Sequence, residues 1–268
     1  MSEKKLVNYL KDLIGPKYYK LFPKNFGKGY ERYKKSLIIK KINKQTVHTN
    51  QKFIDERIIE IPWVINELRK LKGNLLDAGS TLNFNYLLEK LIKKFNIYIV
   101  TLYPEKNNYN NFGVSYIYED FVNLSFKNNF FDVITCISTI EHVGFDNSIY
   151  INNKKINKKD LNFKKKHLIV LKKLVDVLKP GGKMFLTIPY GKKGIYKNLQ
   201  QFDKNSLNNL LKNLKVKKIY KTYYAFINNN WMKVNSNNCK NIKPLFIYEK
   251  KHKKALASNS IALIKIIK

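Results

Sequence analysis

The chain has 268 residues, and its 52 lysines and arginines against 19 aspartates and glutamates give a formal net charge of +33. This length allows one buried core and one elaborated α/β domain with an extension, and the lack of a long apolar run argues against a membrane-spanning helix or a signal peptide. Cys136, in a predicted buried strand, and Cys239, in a polar stretch, argue against a disulfide framework or a zinc site and fit a reducing cytoplasm.

The excess of basic residues predicts attraction to an anionic partner, and an anionic lipid surface, an anionic glycan and RNA all remain open. The kind of basic residue weighs against RNA, since Arg32, Arg57 and Arg69 are the only arginines and all other basic residues are lysines. Arginine's planar fork is the preferred group for clamping phosphates and reading bases.

The N-terminal region is rich in lysine, and its apolar residues recur at helical spacing between Leu6 and Ile14. This pattern predicts a short basic amphipathic helix, which would dock either on a membrane face or on the protein's own domain. We therefore divide the chain into a lysine-rich N-terminal extension, residues 1–52, and a main domain, residues 53–268.

In the main domain, helical spacing of apolar residues predicts helices over 54–72 and 164–178. Apolar runs of strand length predict seven strands, near residues 74–78, 97–103, 114–118, 131–137, 183–188, 217–226 and 260–267. Pro180-Gly-Gly182 is expected to stop the second helix and turn the chain into the next strand. The alternation of strands and helices indicates an α/β fold with a doubly wound, mostly parallel seven-stranded sheet.

The stretch Gly73–Ser80 can be interpreted chemically, because an apolar pair runs into Asp77 and Gly79 and a helical pattern follows. A glycine at such a turn lets a ligand approach the backbone closely, and the start of the helix supplies free N–H groups. Alone, a strand, turn and helix with one glycine is a weak signal. Two further segments, Phe130–Gly144 and Leu178–Gly191, follow at suitable distances.

The order and spacing of these three segments resemble the class I S-adenosylmethionine-dependent methyltransferases, in the group whose fourth strand ends in Glu-His, here Glu141-His142. The resemblance covers roughly residues 53–268 and implies a Rossmann-like fold with S-adenosyl-L-methionine as cofactor. The pattern Glu56-Arg57…Glu60…Pro62-Trp63 also resembles the segment that leads into the domain of methyltransferases among bacterial surface-glycan enzymes. The stretch Ser138–Gly144 resembles the same group of enzymes. Arg57 would brace the cofactor loop or pair with Glu60 on a solvated helix face.

By this resemblance, Asp77, Gly79 and Ser80 form the loop under the methionine part of the cofactor, and Asp77 holds either that loop or, through water, the cofactor's amino group. The structural alternative is that Asp77 caps the following helix. Tyr103 occupies about the position where the family usually has an acid that holds both ribose hydroxyls. Either Glu105 reaches back to the ribose, or the ribose is held differently.

Three further positions are expected to bind the cofactor. Asp120 would accept a hydrogen bond from the adenine amino group while Phe121 packs against the ring, and the alternative is a capping aspartate beside a core phenylalanine. Ser138, with Thr139, would line the sulfonium at the end of the fourth strand. Tyr190 would stand at the pocket rim as a substrate-binding residue.

Glu141 and His142 are the candidate catalytic residues. A neutral His142 can take the proton of a hydroxyl nucleophile as the methyl group transfers, with the carboxylate of Glu141 orienting it. Alignment of the reactants alone can also drive methyl transfer, and the structural alternative is that Glu141 pins the turn after the strand. No metal is expected, because small-RNA 2′-O-methyltransferases that bind a metal have an additional Glu three residues before the pair, where this chain has Ser138.

Outside the three segments, the polar stretch 144–160 is where a substrate-facing lid is expected, since loops of that length are usually functional or disordered. His48, His167 and His252 lie in lysine-rich surroundings and are predicted to be solvated surface residues.

The resemblance implies a cytoplasmic methyltransferase, peripheral to the inner membrane face if the N-terminal helix docks there. Its substrate would be a sugar in a nucleotide-linked or lipid-linked precursor of a surface polysaccharide. An RNA methyltransferase is the alternative that the charge favours. A binding protein with a degenerate methyltransferase fold is a third, and its main support is the atypical second strand.

Overall fold

The computed structural model describes residues 26–45, 54–105, 107–145, 163–196, 199–248 and 254–268. The predicted N-terminal helix, most of the predicted lid, His48 and His252 lie outside these residues. Within them, no helix combines the length and the apolar character that crossing a membrane requires.

The helices of the described residues are α1 (Phe26–Ile42), α2 (Arg57–Leu68), α3 (Asn85–Leu91), α4 (Phe163–Val177) and α5 (Lys204–Leu211). The strands are β1 (Gly73–Ala78), β2 (Phe95–Thr101), β3 (Val114–Tyr118), β4 (Phe131–Ile137), β5 (Leu178–Pro189), β6 (Gly194–Tyr196), β7 (Leu199–Gln201), β8 (Lys218–Ile227), β9 (Asn230–Val234), β10 (Leu245–Tyr248), β11 (Lys254–Ala257) and β12 (Ser260–Ile267).

Eight strands form one sheet in the order β3-β2-β1-β4-β5-β12-β8-β9. The first five are parallel neighbours, whereas β12 runs antiparallel to both β5 and β8. The predicted α/β fold with a mostly parallel sheet is therefore confirmed, and each of the seven predicted strands has its counterpart in the sheet.

The eighth strand, β9, was not predicted. It pairs antiparallel with β8 at the edge of the sheet, and only Trp231 among its residues is buried. An edge strand with one buried side chain and polar neighbours lacks the apolar run that identified the other strands.

The predicted turn at Pro180–Gly182 is corrected by the structure. Helix α4 ends at Val177 and β5 begins at the next residue, so Pro180–Gly182 lie inside the strand. Pairing of β5 with β4 shifts register between Phe131 and Val133, and this irregularity accommodates the proline and the glycines.

Apolar side chains are buried on both faces of the sheet, as the continuous apolar runs of its central strands require. Leu171 and Leu174 of α4 belong to the core on one face, and Leu37 of α1 and Val64 of α2 belong to the core on the other. Helix α1, which falls within the predicted extension, packs directly against α2. The division of the chain at residue 52 stays a prediction.

One predicted surface position is wrong. His167 is 9% exposed and meets the ring of Phe202 edge-on at 6.0 Å. It lies three, four and seven residues before Val170, Leu171 and Leu174, so it shares their buried helix face, which the adjacent lysines obscure in the sequence. Cys239 does lie in a polar stretch, in the 3₁₀ turn Ser236–Cys239, and its side chain is fully buried.

Candidate active site

The carboxyl ends of β1, β2, β4 and β5 meet at one edge of the sheet, which is where ligands bind in open α/β folds. The loop after β1 begins with Gly79, whose φ is +103°. A β-carbon at Gly79 would lie 2.7 Å from Cγ2 of Thr139. Glycine is required here both by the left-handed backbone and by the close approach of Thr139 from the end of β4.

Asp77 holds this loop in place. Its Oδ2 accepts a hydrogen bond of 2.8 Å from the Leu82 N–H, and its Oδ1 accepts one of 2.8 Å from the Thr135 hydroxyl. Because Leu82 precedes the first residue of α3, the contact fastens the loop rather than capping the helix. Burial raises the pKa of Asp77 to about 6, although the two hydrogen bonds oppose the rise.

Glu105 reaches back to the glycine loop, as one of the two alternatives for the ribose requires. Its carboxylate accepts hydrogen bonds from the Ser80 hydroxyl and, at 2.7 Å, from the Asn83 amide. The Asn83 oxygen in turn accepts from the Tyr116 hydroxyl at 2.8 Å. The contributions of Asn83 and Tyr116 were missed in the sequence, because neither belongs to a recognisable motif.

Tyr103 lies two residues beyond the end of β2 and is partly buried. The strand itself is regular and pairs in parallel with both β1 and β3. An atypical second strand was the main support for a binding protein with a degenerate fold. The atypical feature is the residue that follows the strand, Tyr103, whereas the pairing of β2 is regular. The role of Tyr103 in cofactor binding stays a prediction.

At Asp120 and Phe121 the contacts are those of the structural alternative. Asp120 caps the 3₁₀ turn Phe121–Asn123 by accepting from the Val122 N–H at 3.0 Å. Phe121 is 6% exposed and belongs to the hydrophobic core. Their expected contacts with adenine stay predictions.

The end of β4 is joined to α2 by a buried polar network. Ser138, with φ at +44°, donates a hydrogen bond of 2.6 Å from its hydroxyl to Oε1 of Glu60, and Thr187 of β5 donates another of 2.6 Å to the same oxygen. Glu60 is fully buried. The contact of the Ser138 hydroxyl with α2 joins segments distant in sequence and was not foreseen. The expected position of Ser138 beside the sulfonium stays a prediction.

Arg57 completes this network. Its predicted pairing with Glu60 is confirmed, but Glu60 is buried and does not lie on a solvated helix face. It forms an ion pair of 2.9 Å with Oε2 of Glu60 and donates a hydrogen bond of 3.3 Å to the Ile137 carbonyl, the last residue of β4. Burial alone would lower the pKa of Arg57, but the carboxylates of Glu60, Glu56, Asp55 and Glu141 raise it above its ordinary value. The positive charge of this one guanidinium therefore offsets the negative charge of several nearby carboxylates.

Glu141 and His142 lie in the 3₁₀ turn Ile140–His142 directly after β4. Glu141 is 2% exposed, and its Oε2 has no hydrogen-bond partner among the described residues. Burial raises the pKa of Glu141 well above its ordinary value, and Glu60 adds to the rise. The side chain of His142, beside it in the same turn, is partly exposed.

Tyr190, which was expected at a pocket rim, is almost fully buried, and its role in substrate binding stays a prediction. Its side chain is 3% exposed, and its ring centroid lies 4.7 Å from that of Tyr223. The Tyr190 N–H donates to the Ser260 carbonyl at 3.0 Å, so the residue extends the pairing of β5 with β12 and stays in the packed layer. Burial raises the pKa of Tyr190 to about 12.

Within the described part of the chain, no group of three or more His, Cys, Asp or Glu side chains is arranged to hold a metal ion. Glu56, Glu60 and Glu141 act on one another electrostatically, but Arg57 is the cation they share.

The parallel order of β1–β5 gives the sheet a Rossmann-like arrangement, in which ligands bind at the carboxyl ends of the strands. An acidic residue and a glycine after β1 and the carboxylate of Glu105 from beyond β2 lie at this end. Residues 78–186 match the family model described as a methyltransferase domain. The match runs from the last residue of β1 into β5, so it includes the glycine loop and the Glu141-His142 turn. The fold and this match support S-adenosylmethionine-dependent methyltransferase activity for the matched part of the chain.

Several solved structures are similar to the chain. They include a 1,6-didemethyltoxoflavin N1-methyltransferase of Burkholderia thailandensis, with 11% identity, a TM-score of 0.46, and coverage of 77% of this chain and 75% of that one. An S-adenosylmethionine-dependent methyltransferase of Methanosarcina mazei has 12% identity, a TM-score of 0.43, and coverage of 76% and 96%. A possible histamine N-methyltransferase of Thermotoga maritima has 14% identity, a TM-score of 0.45, and coverage of 93% and 99%. No curated protein sequence matches the chain.

Proposed function

We propose that this methyltransferase transfers a methyl group to a hydroxyl oxygen of a sugar in a precursor of a surface polysaccharide. One observation carries the proposal. The segment around Glu56–Trp63 and the segment Ser138–Gly144, which both resemble surface-glycan methyltransferases, are bonded to each other through Glu60 and Ser138 at 2.6 Å. The two segments, which lie far apart in the sequence, are thus joined by one buried hydrogen bond beside the turn that carries Glu141 and His142.

The residues at the sheet edge fit the cofactor. Gly79 and Ser80 offer backbone to the methionine part, and the Glu105 carboxylate, fixed by Ser80 and Asn83, is an acceptor suited to ribose hydroxyls. S-adenosylmethionine supplies a methyl group activated by its sulfonium. The contact of Glu105 with the loop favours Glu105 over Tyr103 as the ribose ligand, with Asp120 and Phe121 at the adenine end.

In this proposal, His142 is the general base. Its imidazole would accept the proton that the sugar hydroxyl loses when it is methylated. Glu141 is too deeply buried to meet substrate and would position the turn that carries His142. Arg57 and Glu60 would fix the same turn from α2, through Ile137 and Ser138.

The proposal places the enzyme in the cytoplasm, next to the inner membrane face where lipid-linked precursors are built. Net charge supports the location, since anionic lipid attracts clustered lysines. The same charge of +33 supports RNA as a second acceptor class, and the scarcity of arginine weighs against it.

An acceptor competition tests the proposal. Purified protein would be incubated with radiolabelled S-adenosylmethionine and with nucleotide-linked sugars, lipid-linked sugars or total RNA, and the labelled product would be identified by mass spectrometry. Label in a sugar fraction, released as an O-methyl sugar on hydrolysis, is the expected result. Label confined to RNA would contradict the sugar proposal and favour RNA as the acceptor. Absence of label in both the sugar and the RNA fractions would contradict both acceptor classes.

A further inference from the structure

A cavity of about 460 Å³ lies away from the cofactor edge, between α1, α2 and the hairpin of β8 and β9. Its size falls in the range of small-molecule sites, and such sites combine apolar and aromatic walls with a few polar groups. Trp63, Tyr224 and Trp231 provide the aromatic wall, and Lys41, Lys70 and Asn66 are among the polar groups.

The cavity and the catalytic network use different faces of α2. Arg57 and Glu60 face the end of β4, whereas Trp63, Asn66 and Lys70 follow one another at intervals of three and four residues along the cavity. A molecule in the cavity would therefore contact neither the glycine loop nor the Glu141-His142 turn.

The aromatic wall is held by contacts behind it. The Trp231 indole donates a hydrogen bond of 3.1 Å to the Ile54 carbonyl, and the Trp63 ring meets Phe185 edge-on at 5.5 Å. Rings fixed in this way present apolar surface at little entropic cost.

The charge of the cavity is positive. Glu67, the acid that lines it, is already paired with Lys265 at 2.8 Å. Lys41 and Lys70 form no ion pair with any described residue, and burial lowers the pKa of Lys41 to about 8. A partly buried lysine without a carboxylate partner is a group that an anion would stabilise.

We propose that this cavity binds a small organic anion with a flat apolar body, whose anionic group lies at Lys41 and Lys70 and whose body lies against Trp63 and Trp231. The site is independent of the methyl acceptor and of the cofactor. Asn66, whose side-chain oxygen is buried without a partner among the described residues, leaves an unsatisfied hydrogen-bonding group in the wall.

The test uses the aromatic sulfonate 8-anilinonaphthalene-1-sulfonate as probe. Trp63 and Trp231 are the two tryptophans of the whole chain, so their fluorescence reports on this cavity. At about pH 7, where Lys41 is mostly protonated, the probe should quench that fluorescence with one-to-one saturation. The dissociation constant of the probe should be unchanged when S-adenosylmethionine is present at saturating concentration.

Lys41→Gln should raise the dissociation constant about tenfold or more, whereas Lys40→Gln, an equal charge loss at an exposed neighbour on the same helix, should leave it unchanged. If Lys41→Gln fails to fold by circular dichroism, Lys70→Gln, at an exposed position, takes its place. The uncharged analogue N-phenyl-1-naphthylamine should bind about tenfold more weakly than the sulfonate. Absence of saturable quenching, equal weakening by the Lys40 variant, or displacement by the cofactor would each overturn the proposal.

Discussion

Ser138 donates its hydroxyl hydrogen to Glu60, a residue 78 positions earlier in the chain, at 2.6 Å. The bond links the last turn before the candidate base to a helix that precedes the first strand. Because Glu60 is fully buried, this contact is not exchanged for water in the folded state, and the geometry of the turn depends on α2.

The first prediction concerns stability. Glu60→Ala should lower the free energy of unfolding by about 3–5 kcal/mol, because it leaves the Arg57 guanidinium without its buried partner. Glu67→Ala on the same helix removes a partly exposed ion pair with Lys265 and should cost about 0–1 kcal/mol. Urea denaturation of both variants checks this, and losses of equal size would contradict a special role for the buried network.

The second prediction concerns the glycine loop. Gly79→Val should abolish S-adenosylmethionine binding, which in the wild type we expect at micromolar levels, about −8 kcal/mol. The valine would displace Thr139 and strain a backbone with φ at +103°. Calorimetry measures the affinity directly.

Gly113→Ala is the control for this loop, since Gly113 has φ at +82° but no atom within 4 Å of an added β-carbon. It should cost about 1–2 kcal/mol of stability through backbone strain and leave cofactor affinity intact. A folded wild type without cofactor affinity would contradict the role of the loop.

The third prediction concerns the base. His142→Ala should lower turnover roughly 10²–10⁴-fold at saturating cofactor while leaving cofactor affinity nearly unchanged. Wild-type activity should fall on acidification, because a protonated imidazole cannot accept the proton of the hydroxyl. His167→Ala, at the buried histidine beside Phe202, should lower thermal stability without changing the pH profile. A folded His142→Ala enzyme that keeps most of its activity would eliminate His142 as base.

The fourth prediction concerns the dependence of stability on pH. Burial raises the pKa of Glu141 above its ordinary 4.5, and burial, followed by Glu60 and Asp55, raises the pKa of Glu56 to about 8. In the unfolded chain both glutamates lose their protons near pH 4.5, whereas in the folded protein Glu56 keeps its proton up to about pH 8. The free energy of unfolding should therefore fall as pH rises from about 4.5 to about 8.

Glu141→Gln imitates the protonated acid, so it should weaken this fall and stabilise the protein at the upper end of the range. Denaturant curves at several pH values, compared with those of the wild type, measure the effect. Parallel pH dependences would show that Glu141 ionises normally in the folded protein.

The sequence predicted most of the sheet, because buried parallel strands require continuous apolar runs such as that of β4. It also predicted the loop role of Asp77, since an acid and a glycine at a strand end have few structural uses. The bonds of Glu60 with Ser138 and Thr187 could not be predicted, because each partner alone is an ordinary polar residue. The burial of Tyr190 was not predicted for a similar reason: it follows from the pairing of β5 with β12, which local sequence does not encode.

The two thiols of the chain are both enclosed in the core, Cys136 within β4 and Cys239 in the 3₁₀ turn Ser236–Cys239. Burial raises the pKa of Cys136 beyond the ordinary thiol range and that of Cys239 to about 11, so neither forms thiolate readily. Since thiolate and access are both needed for oxidation, the folded enzyme should resist peroxide and disulfide exchange. The rate at which each cysteine is modified should therefore report local unfolding. Modification of Cys136 would report opening of the central sheet, and modification of Cys239 would report opening of the C-terminal region.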